Sequence, residues 1–358
     1  MADYSQYNGI SPAMEKLLPH IPEPPPGMTI QTLKQYQNSS REEAVREDMK
    51  SLADKVVIKD HSIPSRDGTT QIEARSYRPA DKPADAKLPI FLFFHGGGFL
   101  LGTLGTEDST CSRVVIALGD VVVLHVNYRH TPEFVWPTQW DDSEDGLEWA
   151  YANAEAFGGD ASRIVVGGIS AGAQLTAALV QTKKREGAAS FGSLLGQVLM
   201  IPCLTDEPAR EALFAAKLKD PKVSSWVDNA DAPILPVSRV RLFSQLLLPQ
   251  DKVVDTVDPR VSPGIATDEE VKGLPPAVFG IAGLDPLRDE GLLYAEQLAA
   301  NGVPTKTHLF KGVPHGHRRF GDLLASASKA WDEVLEDGVR WALSRPKLEA
   351  NSPVIVHE

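Results

Sequence analysis

Cysteine is nearly missing: Cys111 and Cys203 are the only two in 358 residues, far apart and outside any CxxC pair. That excludes a disulfide scaffold and a thiolate metal site, and leaves both residues expected as small buried hydrophobes. An excess of positive charge is missing too. Lys and Arg number 36 against 48 Asp and Glu, a formal net charge of −12, so the electrostatic footprint of a nucleic-acid binder or of an anionic-membrane binder is not there. No apolar run reaches the roughly 18 residues of a membrane span. The start, MADYSQYNGISPAMEKLL, lacks the basic stretch and apolar run of a secretory signal. No repeat of about 20–50 residues recurs. The expectation is a cytoplasmic protein acting on a small molecule or another protein, with a homodimer open.

With 42% hydrophobic residues, the chain can bury one large core, with or without an appendage. The head is irregular. IPEPPPGM must run as extended polyproline, and SSREEAVREDMKSLADKVV follows, with Ser40 as N-cap, Glu43 completing a capping box, and Val45, Met49, Leu52 and Val56 on one helical face. After it, VVIKDHSIPSRDGTTQIEARSYRP reads as a hairpin turning at Asp67-Gly68. Short apolar runs then recur between helix-length stretches: PIFLFF, VVVLHVNY, RIVVGG, QVLMIP, AVFGIAG and THLF. Strands apolar on both faces and separated by helices indicate a parallel sheet covered on both sides. A last helix at about 322–343 places Leu324, Trp331, Leu335 and Val339 at core spacing.

Between Cys203 and Pro259 the strand rhythm stops. Connections in compact domains have a median of about 4–6 residues, so this stretch, with helical tracts of its own, reads as an insertion. The division expected is an N-terminal cap segment at 1–50, core at 51–204, cap insertion at 205–250, core again at 251–345, and a tail at 346–358.

Three motifs carry chemistry. RIVVGGISAGAQLTAALVQ is a strand, the turn Gly168-Ile169-Ser170-Ala171-Gly172, and a helix. A serine on such an elbow sits in a strained backbone at a helix N-terminus, which favours developing negative charge, and the glycines let strand and helix pass closely. Serine is a weak nucleophile, so it needs a base and donors for the oxyanion. PIFLFFHGGGF offers donors: Gly96, Gly97 and Gly98 leave backbone N–H groups free to face a site, with His95 structural in the loop. A phosphate loop is the alternative, but neither a Walker lysine nor a GxGxxG continuation follows. AVFGIAGLDPLRDEG ends a strand at Asp285, and THLFKGVPHGH ends the next just before His315, giving the order Ser, acid, His. Asp289 and Glu290 are alternative acids that fall in the acidic first turn of a helix. His315 and His317, two apart, could also be read as a metal pair, though no third ligand accompanies them.

GGISAG, HGGGF, DPLRDEG and PHGH in this order resemble the hormone-sensitive lipase-like family of α/β-hydrolases. NYRHTPEFVWPTQWDD is similar to that family's YR-x-x-PE-x-x-x-P segment, and DPRVSPGIATDEEVKGLPPA to its DPxxSP and GLPPA stretch, so the resemblance covers about 75–320. It implies a mostly parallel sheet flanked by helices under a helical cap built from the head and the insertion. It also implies Ser170 as nucleophile, His315 as base and then acid, Asp285 orienting the imidazole, and an oxyanion hole from the N–H groups of Gly97, Gly98 and Ala171. The reaction implied is hydrolysis of a carboxylic ester through an acyl-enzyme, with no metal or organic cofactor. Phe99, Trp226, Phe243 and His317 are the expected substrate contacts. The chain departs from the family pattern at Ile169, where an Asp is usual, at His317, where a packing Phe is usual, and at His130 and Phe134, which imply an altered pocket wall. A non-hydrolytic cyclisation, elimination or acyl transfer on the same fold is the second reading. A ligand receptor is the third, though such receptors tend to lose a triad member and this chain has all three.

Overall fold

The structure is a computed structural model describing residues 1–21, 25–249, 254–255, 258–349 and 352–358. Part of the proline cluster, residues 22–24, and the end of the expected insertion lie outside the described residues. Among the described residues nine strands form one sheet: β1 Val56–Pro64, β2 Gln71–Pro79, β3 Leu88–Phe94, β4 Val122–Asn127, β5 Gly159–Ile169, β6 Leu194–Met200, β7 Ala277–Leu284, β8 Thr305–Pro314 and β9 Val354–His357. Their order is β1-β2-β4-β3-β5-β6-β7-β8-β9. The expected hairpin is β1–β2; it and the β2–β4 pair are antiparallel, and all pairs from β4 onward are parallel.

The pattern follows from the residues. Every side chain of β3 and of β6 is buried, as it must be for strands covered on both faces. Period-two alternation divides β3: Ile90, Leu92 and Phe94 enter one core with the helices Thr138–Ala152, Ala171–Glu186 and Arg288–Ala300, while Phe91 and Phe93 enter the other with Asp108–Leu118 and Ala325–Leu343. The edge strand β1 is mostly exposed. β9 was not legible: VIVH is four residues in an expected tail, and it is held by pairing with β8 and by His357 stacking on Phe310.

Two local expectations are corrected. The helix in the head starts far ahead of Ser40: it runs Ile30–Met49, capped by Thr29, whose hydroxyl accepts the Thr32 N–H at 3.2 Å. Ser40 lies inside it, exposed, where a serine costs little. The helix buries no residue completely. It docks through Lys34, Asn38, Arg41 and Glu42, spaced i, i+4, i+7, i+8 on one face, which bond Thr131 O, Gly102, Glu107 and Thr103 respectively. Cys111 is buried, but Cys203 is only partly so; both are free. The insertion contains the helices Glu207–Lys217, Ser225–Asp228 and Val237–Leu247. Among the described residues no helix is long and apolar enough to cross a membrane.

Candidate active site

β5 delivers Ser170 at its C-terminal end, where the chain turns at φ 55°, ψ −114° into the helix Ala171–Glu186. A non-glycine residue at positive φ is strained, and the surroundings hold it: Ser170 N–H donates to Met200 O at 2.8 Å. The elbow needs its glycines. A Cβ on Gly172 would lie 2.0 Å from Phe94 O, and one on Gly168 2.4 Å from the Gly172 backbone, so helix and strands pass at backbone contact.

β7 ends at Leu284 and β8 at Pro314, setting Asp285 and His315 beside the elbow. His315 Nε2 is 2.8 Å from Ser170 Oγ and its Nδ1 is 2.7 Å from Asp285 Oδ2. All three residues are buried. The other carboxylate oxygen of Asp285 accepts the Leu287 N–H at 2.9 Å, and Asn229 from the insertion donates to the Asp285 carbonyl at 3.1 Å. Asn229 was not found in the sequence, because nothing in NADAP marks a residue that reaches across 56 positions. Gly316, at φ 68°, turns the chain directly after His315.

The alternative acids are engaged elsewhere. Asp289 accepts the Ser225 N–H at 2.7 Å and pairs with Arg288. Glu290 accepts the Leu204 N–H and pairs with buried Arg210 at 2.6 Å. Both lie in the first turn of the helix Arg288–Ala300, as its acidic start suggested. The two histidines diverge as well. His317 is fully buried with its ring 5.1 Å from Phe310 and edge-on to Trp331 at 5.3 Å, its Nδ1 is 3.2 Å from Pro314 O, and burial brings its pKa down to about 4. This polar ring packs against Phe310 and Trp331 where a Phe is usual in the family. Among the described residues no group of three or more His, Cys, Asp or Glu is arranged to hold a metal.

The HGGG segment lies against the elbow. A Cβ on Gly96 would sit 2.8 Å from Ile169 O, and Gly97 and Gly98 both have positive φ, 138° and 62°. The Gly97 carbonyl accepts from Leu100 and Leu101 N–H groups, closing the loop into a tight turn. Ala171, as the first residue of its helix, has no intrahelical carbonyl for its N–H. Ile169 itself packs as a partly buried apolar residue, in keeping with the loss of the usual Asp.

The four expected substrate contacts separate. The Phe243 ring from the insertion covers Gly98 so closely that a Cβ there would be 2.2 Å from it. Phe99 is instead buried beneath the loop, its ring stacked on Trp140 at 5.2 Å. Trp226 lies under the Arg210 guanidinium at 4.0 Å. Phe99 and His317 thus pack against Trp140 and against Phe310 and Trp331, while Trp226 is partly buried beside Arg210.

The α/β hydrolase fold family matches residues 91–318. Esterase LipI of Mycobacterium tuberculosis is 34% identical over 264 residues, 74% of this chain and 76% of that protein, and the same organism's carboxylesterase NlhH is 35% identical over 266, with 74% and 76% covered. Among solved structures, a vibralactone cyclase superposes with a TM-score of 0.85 at 27% identity, covering 97% of this chain and 98% of its own. The strand order, the serine elbow and these matches agree, and the chain belongs to the hormone-sensitive lipase-like family of α/β-hydrolases, carboxylic ester hydrolases.

Proposed function

We propose that the protein is a serine carboxylesterase in which Ser170, His315 and Asp285 form the triad. The observation that carries this is the unbroken chain of contacts, 2.8 Å from Ser170 Oγ to His315 Nε2 and 2.7 Å from His315 Nδ1 to Asp285 Oδ2. His315 takes the Ser170 proton as Oγ bonds to the ester carbonyl carbon, and Asp285 stabilises the resulting imidazolium. The carbonyl oxygen gains the charge, which the N–H groups of Gly97, Gly98 and Ala171 receive. Collapse breaks the ester C–O bond, and His315 passes its proton to the leaving alkoxide. Water then repeats the sequence on the acyl-enzyme, releasing the acid and restoring Ser170. Phe243 over Gly98 supports a small or medium apolar ester as substrate, an acylated natural product being one such class. Two free cysteines and the acidic charge support a cytoplasmic setting, with a homodimer as the assembly we put forward.

Turnover of p-nitrophenyl butyrate tests the reading. The wild type should hydrolyse it, Ser170→Ala should lose on the order of 10⁴–10⁶-fold in kcat, and an organophosphonate should add one mass equivalent to Ser170 alone. A folded enzyme inert toward a broad ester panel would overturn it.

The likeness to a vibralactone cyclase supports a second reading. An acyl-enzyme attacked by a hydroxyl of its own acyl chain, instead of water, would release a lactone. Turnover in H₂¹⁸O separates the two: hydrolysis places ¹⁸O in the product carboxylate and cyclisation leaves the product unlabelled.

A further inference from the structure

His95, which opens the HGGG segment, and His125 and His130 packed against it take no part in the reaction just described. His95 stacks on Tyr128 with centroids 4.5 Å apart, meets His130 at 5.0 Å and stands edge-on to His125 at 5.3 Å. Both ends of His95 are held. Its carbonyl accepts the Tyr128 hydroxyl at 2.8 Å, and Gly102, at φ 127°, leaves room for its ring, since a Cβ there would be 2.1 Å from Cε1.

The proton positions follow from the partners. His95 Nδ1 is 2.9 Å from the Gly96 carbonyl oxygen. A carbonyl only accepts, so the proton is on Nδ1. In a neutral ring Nε2 then carries a lone pair, and His130 Nε2, 3.2 Å away, is the donor to it. The surroundings keep both rings neutral: burial brings His95 down to about 4 and holds His130 and His125 well below the ordinary range, and the charge of Arg41 acts on all three in the same direction, with that of Lys34 acting on His130.

The Gly96 oxygen is one end of a peptide whose other end is the Gly97 N–H. In a trans peptide these two point in opposite directions in one plane, so a hydrogen bond that fixes the carbonyl also aims the N–H. We infer that His130 is a positioning residue of the oxyanion hole: by donating to His95 Nε2 it selects the tautomer whose Nδ1–H grips the Gly96 carbonyl and directs the Gly97 N–H toward the site. Without that donor only the Gly96 carbonyl holds the proton on Nδ1, and His95 gains access to the Nε2–H form. Its Nδ1 lone pair would then face the carbonyl lone pairs, and the Gly96–Gly97 plane would lose its tether. The kinetic consequence rests on the esterase reading, whereas the tautomer does not.

The test uses ¹⁵N-histidine-labelled full-length protein and long-range ¹H–¹⁵N spectra. Wild-type His95 should show the Nδ1–H tautomer, and an Nε2–H signature there would overturn the inference without any variant. His130→Leu should shift His95 toward Nε2–H and lower kcat by about 10–100-fold, less than the roughly 10²–10³-fold for deleting an oxyanion donor, with KM within about twofold. His130→Gln, whose amide can donate to the same nitrogen, should recover the wild-type tautomer and at least a third of kcat. Equal losses in the Leu and Gln variants, or a loss confined to melting temperature, would mean that His130 only packs. A wild type without ester turnover that nevertheless showed the tautomer and its shift in His130→Leu would sink the esterase reading and support the positioning.

Discussion

Two regions meet around the HGGG loop, and they are held by different forces. The strand ends carrying Ser170, Asp285 and His315 belong to a sheet whose central strands are buried on both faces, with glycine-mediated contact between β5 and its helix. The pieces packed about the HGGG loop and the segment after it are different. The helix Ile30–Met49 has no fully buried residue and attaches through Lys34, Asn38, Arg41 and Glu42, while the helix Val237–Leu247 buries Val237 and Leu247, covers Gly98 with Phe243, and is braced within the insertion by Arg241 to Glu207 and Ser244 to Asp206. Burial of a large apolar side chain contributes about 1.5–3 kcal/mol. A hydrogen bond at a partly exposed site contributes about 0.5–1.5 kcal/mol. The sheet therefore fixes the positions of Ser170, Asp285 and His315, and the helix Ile30–Met49, held by polar contacts, is the piece expected to open at the lowest cost.

The largest effect expected from this contrast concerns the acids. Asp285→Asn should lower kcat by about 10⁴-fold, because it keeps the shape and loses the tautomer and charge that His315 needs. Asp289→Asn, four residues on, should leave kcat within about threefold. Its cost should appear in urea unfolding as about 1–3 kcal/mol, since it leaves the buried Arg288 without its carboxylate. Equal losses of kcat in both variants would break the assignment of the site acid.

A smaller effect tests the helix Ile30–Met49. Asn38 accepts the Gly102 N–H at 2.9 Å on the chain segment just after the HGGG loop. Asn38→Ala should cost the helix Ile30–Met49 about 1 kcal/mol of local stability. Hydrogen exchange should show its amides exchanging about fivefold faster while those of β3 and β5 are unchanged. Faster exchange throughout the sheet would mean that the two regions open as one.

The same contrast decides what the sequence could tell. Six of the nine strands were readable, because both-face burial demands continuous apolar runs, and the hairpin β1–β2 was readable from Asp67-Gly68. Ser170, Asp285 and His315 were readable because each sits at the end of such a run, in a turn that restricts residue choice. The pieces about the HGGG loop hid for the opposite reason. The docking face of the first helix is Lys, Asn, Arg and Glu, which looks like a solvated face, while the apolar stripe at Val45 and Met49 is only partly buried. Thr29 was missed as the cap since Ser40 offered the same local chemistry with a better-placed glutamate. The packing of His317 between Phe310 and Trp331 leaves no trace in a loop sequence, and β9 is hidden because four residues at an edge carry too little pattern.

The smallest expected effect lies on the face of the sheet away from the serine helix, in the helix Ala325–Leu343. There Glu336 is partly buried near Asp332 and Asp337, and burial, then those like charges, push it up to about 7. In the unfolded chain it titrates near 4.3, so below that pH it is protonated in both states and costs nothing. As pH rises from about 4.3 through 7 the folded protein must carry a charge its surroundings disfavour, and stability is lost across that window. Glu336→Gln removes the charge while keeping the side-chain volume. Discounted for solvent screening, the gain above pH 7 is roughly 1 kcal/mol, or about 1–2 °C in Tm for a chain of this size. At pH 4 the variant and wild type should melt together, and at pH 8 the variant should melt higher with kcat unchanged. A change in kcat would show that this far face is coupled to the strand ends; a gain at pH 4 equal to that at pH 8 would mean that the charge is not the cause.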